Sequence, residues 1–124
     1  MKKIIATENA PKAVGPYSQA VEANGTLYIS GQIPVVPADG SIPGTIEEQT
    51  EQVLRNIGAI LSEAGLGYGN VVKTTVLLGD IADFKAMNEV YAGFFTEDKP
   101  ARACYQVAAL PLGVKVEIEA VAVR

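Results

Sequence analysis

Arg102, Cys104, Glu117 and Glu119 are the residues of this 124-residue chain whose types and spacing best suit chemistry. Two runs carry them, Lys99-Pro100-Ala101-Arg102-Ala103-Cys104 and Val116-Glu117-Ile118-Glu119, and these read as two adjacent strands. An arginine fork takes a planar carboxylate through two parallel hydrogen bonds. A carboxylate on a neighbouring strand can hold or activate a water. The pairing points to hydrolytic work on a small carboxylate-bearing molecule. Strand alternation puts Arg102, Cys104 and Gln106 on one side of their strand, and Glu117 and Glu119 on one side of theirs. Where the two polar sides coincide, they line one surface. From pattern alone the favoured reading is plainer: Arg102 pairs structurally with a glutamate and the acids otherwise face water, since structural ion pairs outnumber functional ones.

The chain contains no histidine. That removes Ser-His and Cys-His nucleophile pairs, a histidine general base and imidazole metal ligands. A catalytic zinc held by carboxylates and one cysteine would be unusual, so no metal is expected. The single cysteine forbids an internal disulfide and fits a reducing compartment. Cys104 reads first as a small buried apolar residue, with Arg102 as the one nearby group able to lower its pKa. Ten basic against fourteen acidic residues give a net charge of −4, which offers no electrostatic footprint for nucleic acid or anionic lipid. The apolar stretch after Lys2-Lys3 is too short for a signal peptide, and no run approaches a membrane span. One domain over residues 1–124, located in the cytoplasm, is the expectation.

Four further positions could line a pocket. Asn88 lies on the apolar stripe of its helix, where an amide needs partners; it ties down a loop or reaches a ligand. Tyr17, in Gly15-Pro16-Tyr17-Ser18, reads as the start of a strand and could lend a hydroxyl. Ser30 ends a strand, and Gly31 would let a ligand approach the main chain closely.

The elements that must position these groups are legible in outline. Tyr17 to Ala23 and Thr26 to Ser30 flank Asn24-Gly25, a hairpin signal because both central residues of a type I′ turn need positive φ. Residues 31 to 44 hold three prolines and three glycines and read as a loop. Thr45-Ile46-Glu47-Glu48 opens a helix with capping-box spacing. Ile46, Thr50, Val53, Leu54, Ile57, Leu61 and Ala64 form its stripe, and Gly65 stops it. A strand runs from about Val71 to Leu78. Asp80 caps a second helix with Phe84, Met87, Tyr91, Phe94 and Phe95 as its stripe, and Pro100 prevents its extension. Arg102 to Ala108 and Val114 to Val123 read as a last hairpin. The resulting order, β-β-α-β-α-β-β with Met1 to Ile5 as a further edge strand, is an α+β two-layer sandwich, mainly antiparallel, with both helices on one face. Val21, Tyr28, Val72, Val121 and Val123 leave more apolar surface than two helices can cover, which predicts an oligomer.

Five motifs occur in order: Gly15-Pro16-Tyr17-Ser18-Gln19, Ser30-Gly31-Gln32-Ile33-Pro34, Asn88-Glu89-Val90-Tyr91, Pro100-Ala101-Arg102-Ala103-Cys104 and Val116-Glu117-Ile118-Glu119-Ala120. With these the chain resembles the RidA family, also called the YjgF family, over essentially its full length. The resemblance implies a chorismate-mutase-like α+β subunit and a homotrimer whose sheets form a central barrel, with ligand clefts between subunits. It implies hydrolytic deamination of reactive enamine or imine acids, such as 2-aminoacrylate, to 2-keto acids and ammonia, without cofactor or metal. Arg102 then corresponds to the arginine that binds the substrate carboxylate, and Glu117 to the glutamate associated with the hydrolytic water. Cys104 corresponds to a cleft-lining cysteine, and Tyr17, Ser30, Gly31 and Asn88 match cleft positions. Glu119 matches the motif with no assigned role. Two other readings use the same residues: a keto-acid-sensing or partner-regulating protein without turnover, and an endoribonuclease or translation inhibitor, which the acidic balance and missing histidines disfavour.

Overall fold

The structure is a computed structural model describing all residues, Met1–Arg124. Six strands build one sheet: β1 (Lys3–Ile5), β2 (Ala20–Ala23), β3 (Thr26–Gln32), β4 (Val71–Leu78), β5 (Ala101–Gln106) and β6 (Val116–Val123). Two α-helices, α1 (Ile46–Glu63) and α2 (Phe84–Ala92), complete a mixed α+β fold. The strand order is β1-β2-β3-β6-β4-β5. Every pairing is antiparallel except β4 with β5. Those two are parallel because the chain returns from β4 to β5 through α2, the kind of crossover that parallel neighbours require.

Local chemistry sets the element ends. Asn24 and Gly25 sit at φ 52° and 76°, the left-handed pair of the expected hairpin turn. Thr45 Oγ1 accepts the Glu48 N–H at 3.1 Å and so caps α1, while its hydroxyl donates to Glu48 Oε1 at 3.0 Å in place of the return bond to the Thr45 N–H that a full capping box makes. At the far end Gly65 adopts φ 74°, and Leu66 N–H returns to the Leu61 carbonyl at 2.8 Å. All seven residues of the expected α1 stripe are buried, and Ile60 joins them. Two buried amides on the same helix tie down its surroundings. Gln49 bonds the Pro43 carbonyl and the Lys115 N–H, both at 2.8 Å. Asn56 holds the Ile33 and Val35 carbonyls at 3.2 and 3.0 Å. The 33–45 connection is thereby fastened to the helix along its length.

The helices cover one face of the sheet. On β6, Val116, Ile118, Ala120 and Ala122 are buried toward them, while Glu117, Glu119, Val121 and Val123 point the other way. That second face is left open. Val21, Tyr28 and Val121 form one cross-strand row upon it, with Tyr28 53% exposed and Val72 and Val123 also uncovered.

Several sequence expectations change. Residues 102–123 do not form a hairpin: β4 lies between β5 and β6 and pairs with both. The long strand β6 finds central neighbours in β3 and β4, and β5 is left on the edge, a long-range choice that local turn signals cannot reveal. The helix α2 ends at Ala92 with Gly93 as its cap, well before Pro100. Asp80 caps a separate 3₁₀ turn, Ile81–Asp83, through the Ala82 N–H at 2.9 Å. Gly31 and Gln32 belong to β3 rather than to a loop, whereas Tyr17 to Gln19 precede β2 as irregular chain.

Gln19 organises that irregular chain. Its side chain is buried, accepts the Thr7 N–H at 2.7 Å and donates toward the carbonyls of Thr7, Ala10 and Pro11 at 3.1, 3.3 and 2.7 Å. Gln19→Leu leaves these backbone groups without a partner and is expected to lower unfolding stability by about 2–3 kcal/mol. A urea midpoint equal to that of the unaltered protein would show that the segment contributes nothing.

Candidate functional site

The arginine of β5 lies on the helix-covered side of the sheet. Arg102 pairs in register with Thr74, and Thr74 with Ala120, so these three share the inner face. From there the guanidinium reaches α2. Its Nη1–H donates to Asn88 Oδ1 at 2.7 Å. Its Cζ lies 4.8 Å from the centre of the Tyr91 ring and 5.6 Å from that of Phe84, both within cation–π range. The chain's two ion pairs, Arg55–Glu51 and Arg124–Glu22, are elsewhere. The ion pair from Arg102 to a glutamate, favoured on sequence pattern, is therefore absent. Every group that holds this half-buried cation is neutral, so its charge remains uncompensated and its other donors stay available for an anion.

A concavity of about 380 Å³ opens beside it. Asn88, Tyr91, Phe95, Lys99, Pro100 and Arg102 line it. The mix of apolar wall and cationic side chains, Arg102 fixed by its neighbours and Lys99 beside it, suits a small organic carboxylate. Asn88 ties down no loop; it serves the arginine. Cys104 follows two residues later on the same face, in register with Val76 and Ile118. Burial pushes its thiol pKa up and the nearby Arg102 charge pulls it down, with burial the stronger influence. Near neutrality the thiol stays protonated, which suits a lining group better than a nucleophile.

The glutamates are on the opposite face. Glu117 pairs with Leu77, and Glu119 with Thr75, each out of phase with the Arg102 row. The coincidence of polar sides that the sequence left open does not occur within one chain, because the interposed strand fixes Arg102 and Glu117 in alternate phases. Glu117 has its own neighbours. A Cβ built on Gly31 would collide with its carboxylate, lying only 3.0 Å from Cδ, so the absent side chain at position 31 is what makes room for the acid. Burial raises the Glu117 pKa above the usual carboxylate range, and the charge of Glu119 raises it further.

Ser30 and Tyr17 connect to this second group through the backbone. Ser30 Oγ–H donates to the Ser18 carbonyl at 2.6 Å, and Ser30 N–H to the Gln19 carbonyl at 2.9 Å. The serine thus holds the 17–19 segment against β3. Tyr17 is half exposed; its hydroxyl accepts the Val14 N–H at 3.3 Å, and it borders a cavity of about 430 Å³ with the N-terminal segment. The sequence-derived residues therefore gather into two sets: Arg102, Cys104 and Asn88 on one side of the sheet, and Glu117, Gly31, Ser30 and Tyr17 associated with the other strands and face. Sequence reasoning counted Phe84 and Tyr91 only as stripe residues. An aromatic one turn from a polar Asn88 on the same helix was the available signal of a cation platform.

Gly31→Ala is expected to preserve the fold but swing the Glu117 side chain aside, since the atoms it meets end a flexible chain. Its signature is an unfolding midpoint near that of the parent, with the Glu117 carboxyl resonance titrating at a changed pH; an unmoved titration refutes the steric account. The raised Glu117 pKa also fixes a sign. The charged form is penalised in the folded state, so this contribution to stability is present below the ordinary glutamate pKa and lost as pH rises through the folded one. Glu117→Gln should therefore be at least as stable as the parent at neutral pH, as thermal unfolding at several pH values would establish.

Comparison with known proteins gives a consistent result. The family model described as Endoribonuclease L-PSP matches residues 7–124. The chain is 51% identical to the 2-iminobutanoate/2-iminopropanoate deaminase of Escherichia coli, over 100% of this chain and 99% of that protein. To the human protein of the same name it is 53% identical, over 100% and 91% of the respective lengths. It is 52% identical to Reactive Intermediate Deaminase A, chloroplastic, of Arabidopsis thaliana, over 98% of this chain but 65% of that relative. Among solved structures, the YjgF gene product from E. coli superposes with a TM-score of 0.94 at 50% identity, covering 98% of each chain. E. coli TdcF with bound serine gives a TM-score of 0.94 at 49% identity, again over 98% of each. By sequence and by fold, the chain belongs to the Endoribonuclease L-PSP family, the RidA/YjgF family that its five motifs resemble.

Proposed function

We propose that this protein is an imine deaminase, hydrolysing small 2-imino acids and their enamine tautomers to 2-keto acids and ammonia. The observation that carries the proposal is the Arg102 guanidinium, half-buried, held by Asn88 and two aromatic rings and free of any carboxylate. Relatives at 51% and 53% identity bear the name 2-iminobutanoate/2-iminopropanoate deaminase, which supplies the substrate class.

In this reading Arg102 grips the substrate carboxylate and Glu117 accepts a proton from water as the oxygen bonds to the imine carbon. The C=N π electrons of the protonated imine move to nitrogen, giving a neutral tetrahedral carbinolamine. Glu117 returns the proton to that nitrogen, then takes the proton of the new hydroxyl as the C–N bond breaks, so that ammonia leaves a C=O group behind and the proton left on Glu117 passes to solvent. The imine carbon is already electrophilic, so orientation and proton transfer suffice. No strong nucleophile is needed, which agrees with the protonated thiol of Cys104.

Because Arg102 and Glu117 occupy opposite faces of one sheet, a single chain does not bring them together. We infer a chorismate-mutase-like subunit assembled as a homotrimer, its open sheet faces forming a central barrel. Arg102, Cys104 and Asn88 of one protomer then meet Glu117, Gly31, Ser30 and Tyr17 of its neighbour. The uncovered row Val21–Tyr28–Val121 supports burial of that face. A cytoplasmic location belongs to the same proposal, supported by the lone free cysteine; no helix is long and apolar enough to cross a membrane.

The test generates 2-aminoacrylate with a dehydratase and times keto-acid formation with and without this protein. Arg102→Ala is expected to bring the rate to the uncatalysed background with the trimer intact by light scattering. Parental turnover in that variant defeats the assignment. Mixing subunits carrying Arg102→Ala with subunits carrying Glu117→Gln should restore activity through mixed trimers, since one kind of cleft then has both groups. Inactive mixtures that have demonstrably exchanged subunits would refute the shared cleft. In the active parent, the acid limb of the pH profile should lie above the ordinary glutamate range.

A further inference from the structure

Beneath Arg102 lies a polar contact that packing alone does not require. Thr74 is fully buried in the middle of β4 and is the direct register partner of Arg102. Its hydroxyl meets the Tyr91 hydroxyl at 2.7 Å, within the buried layer between β4 and α2. A valine and a phenylalanine would fill nearly the same space without two hydroxyls to desolvate. What the hydrogen bond adds is direction. The phenol is pinned at its tip, and its ring is flanked by Phe95 at a centroid distance of 4.7 Å and a tilt of 40°. On that fixed ring rests the guanidinium, 4.8 Å away. Burial raises the Tyr91 pKa, so the phenol stays neutral and brings no charge of its own to the cation.

We propose that Thr74 and Tyr91 are positioning residues for Arg102: their buried hydrogen bond sets the height and angle of the aromatic platform, and hence the aim of the guanidinium at the substrate carboxylate. The inference rests on the carboxylate-binding role given to Arg102 above and extends it by two residues, Thr74 buried beneath the concavity and Tyr91 in its wall. Asn88 fixes the rotation of the guanidinium from its edge, and the Thr74–Tyr91 pair fixes its seat from below. A cation held by two independent supports loses less freedom when an anion arrives, and affinity gains accordingly.

Four variants test this: Tyr91→Phe, Thr74→Val, the two combined, and Thr74→Ser. For each, KM and kcat are measured on enzymatically generated 2-aminoacrylate, the Kd of 2-oxobutanoate by calorimetry, and the unfolding midpoint by urea. Tyr91→Phe and Thr74→Val should each raise KM and the 2-oxobutanoate Kd by about 3- to 10-fold while kcat stays within about twofold. The combined variant should be no worse than the poorer single one, because both changes remove the same bond. Thr74→Ser keeps the hydroxyl and should restore the parental KM. Unchanged KM and Kd in both single variants, with only the urea midpoint lowered, would reduce the pair to a core contact and overturn the proposal. If the parent binds 2-oxobutanoate but fails to turn over imines, the deaminase reading falls while the Kd series still decides the positioning role. If the parent binds no keto acid at all, the positioning role falls with it.

Discussion

A guanidinium supported only by neutral groups is the constraint around which this fold is arranged. An arginine beside a carboxylate would be easier to keep half-buried, but its charge would be spent within the protein. Here an amide oxygen and two aromatic quadrupoles take the place of a counter-ion. They orient the cation without neutralising it. Each comes from α2, so that short helix must lie flat on the sheet at a fixed rotation. Its anchors are Met87, Tyr91 and the following Phe95, all buried.

The sheet order then dictates how the rest of the chemistry can be supplied. With β4 interposed between the strand of the arginine and the strand of the glutamates, the groups stand in opposite phases of the pleat. No side-chain rotation brings one through the sheet to the other. An activity needing both therefore calls for a second copy of the chain, and the uncovered apolar row on the glutamate face is consistent with that demand. Catalytic geometry and assembly become one question in this architecture.

Local signals were readable where local physics decides. Asn24-Gly25, the Thr45 cap with Glu48, the α1 stripe ending at Gly65, and the bounds of β4 all follow from turn chemistry, capping and periodicity. The choice of strand partners did not. Arg102–Gln106 and Val116–Val123 are joined by a short connection containing Leu110-Pro111-Leu112-Gly113, and nothing local says that a strand formed some 30 residues earlier will slip between them. The same gap left open whether Arg102 and Glu117 share a side: alternation gives each strand's two sides, but only the sheet order says which side is shared. Asn88 and Tyr91 were legible as a polar and an amphipathic residue on an apolar stripe, yet their common target lies on a distant strand. Thr74 carried no signal beyond being one hydroxyl in a β-rich run.

The close approach of Gly31 to Glu117 reaches beyond the present chain. These two positions, on neighbouring strands β3 and β6, cannot change freely of one another. A lineage that gains a side chain at 31 must shorten or relocate the acid at 117, and one that loses the acid is released from needing glycine. Substitutions at the two sites should consequently be inherited together, so that their joint history separates descendants that retain the acid at 117 from those that have turned the scaffold to another use.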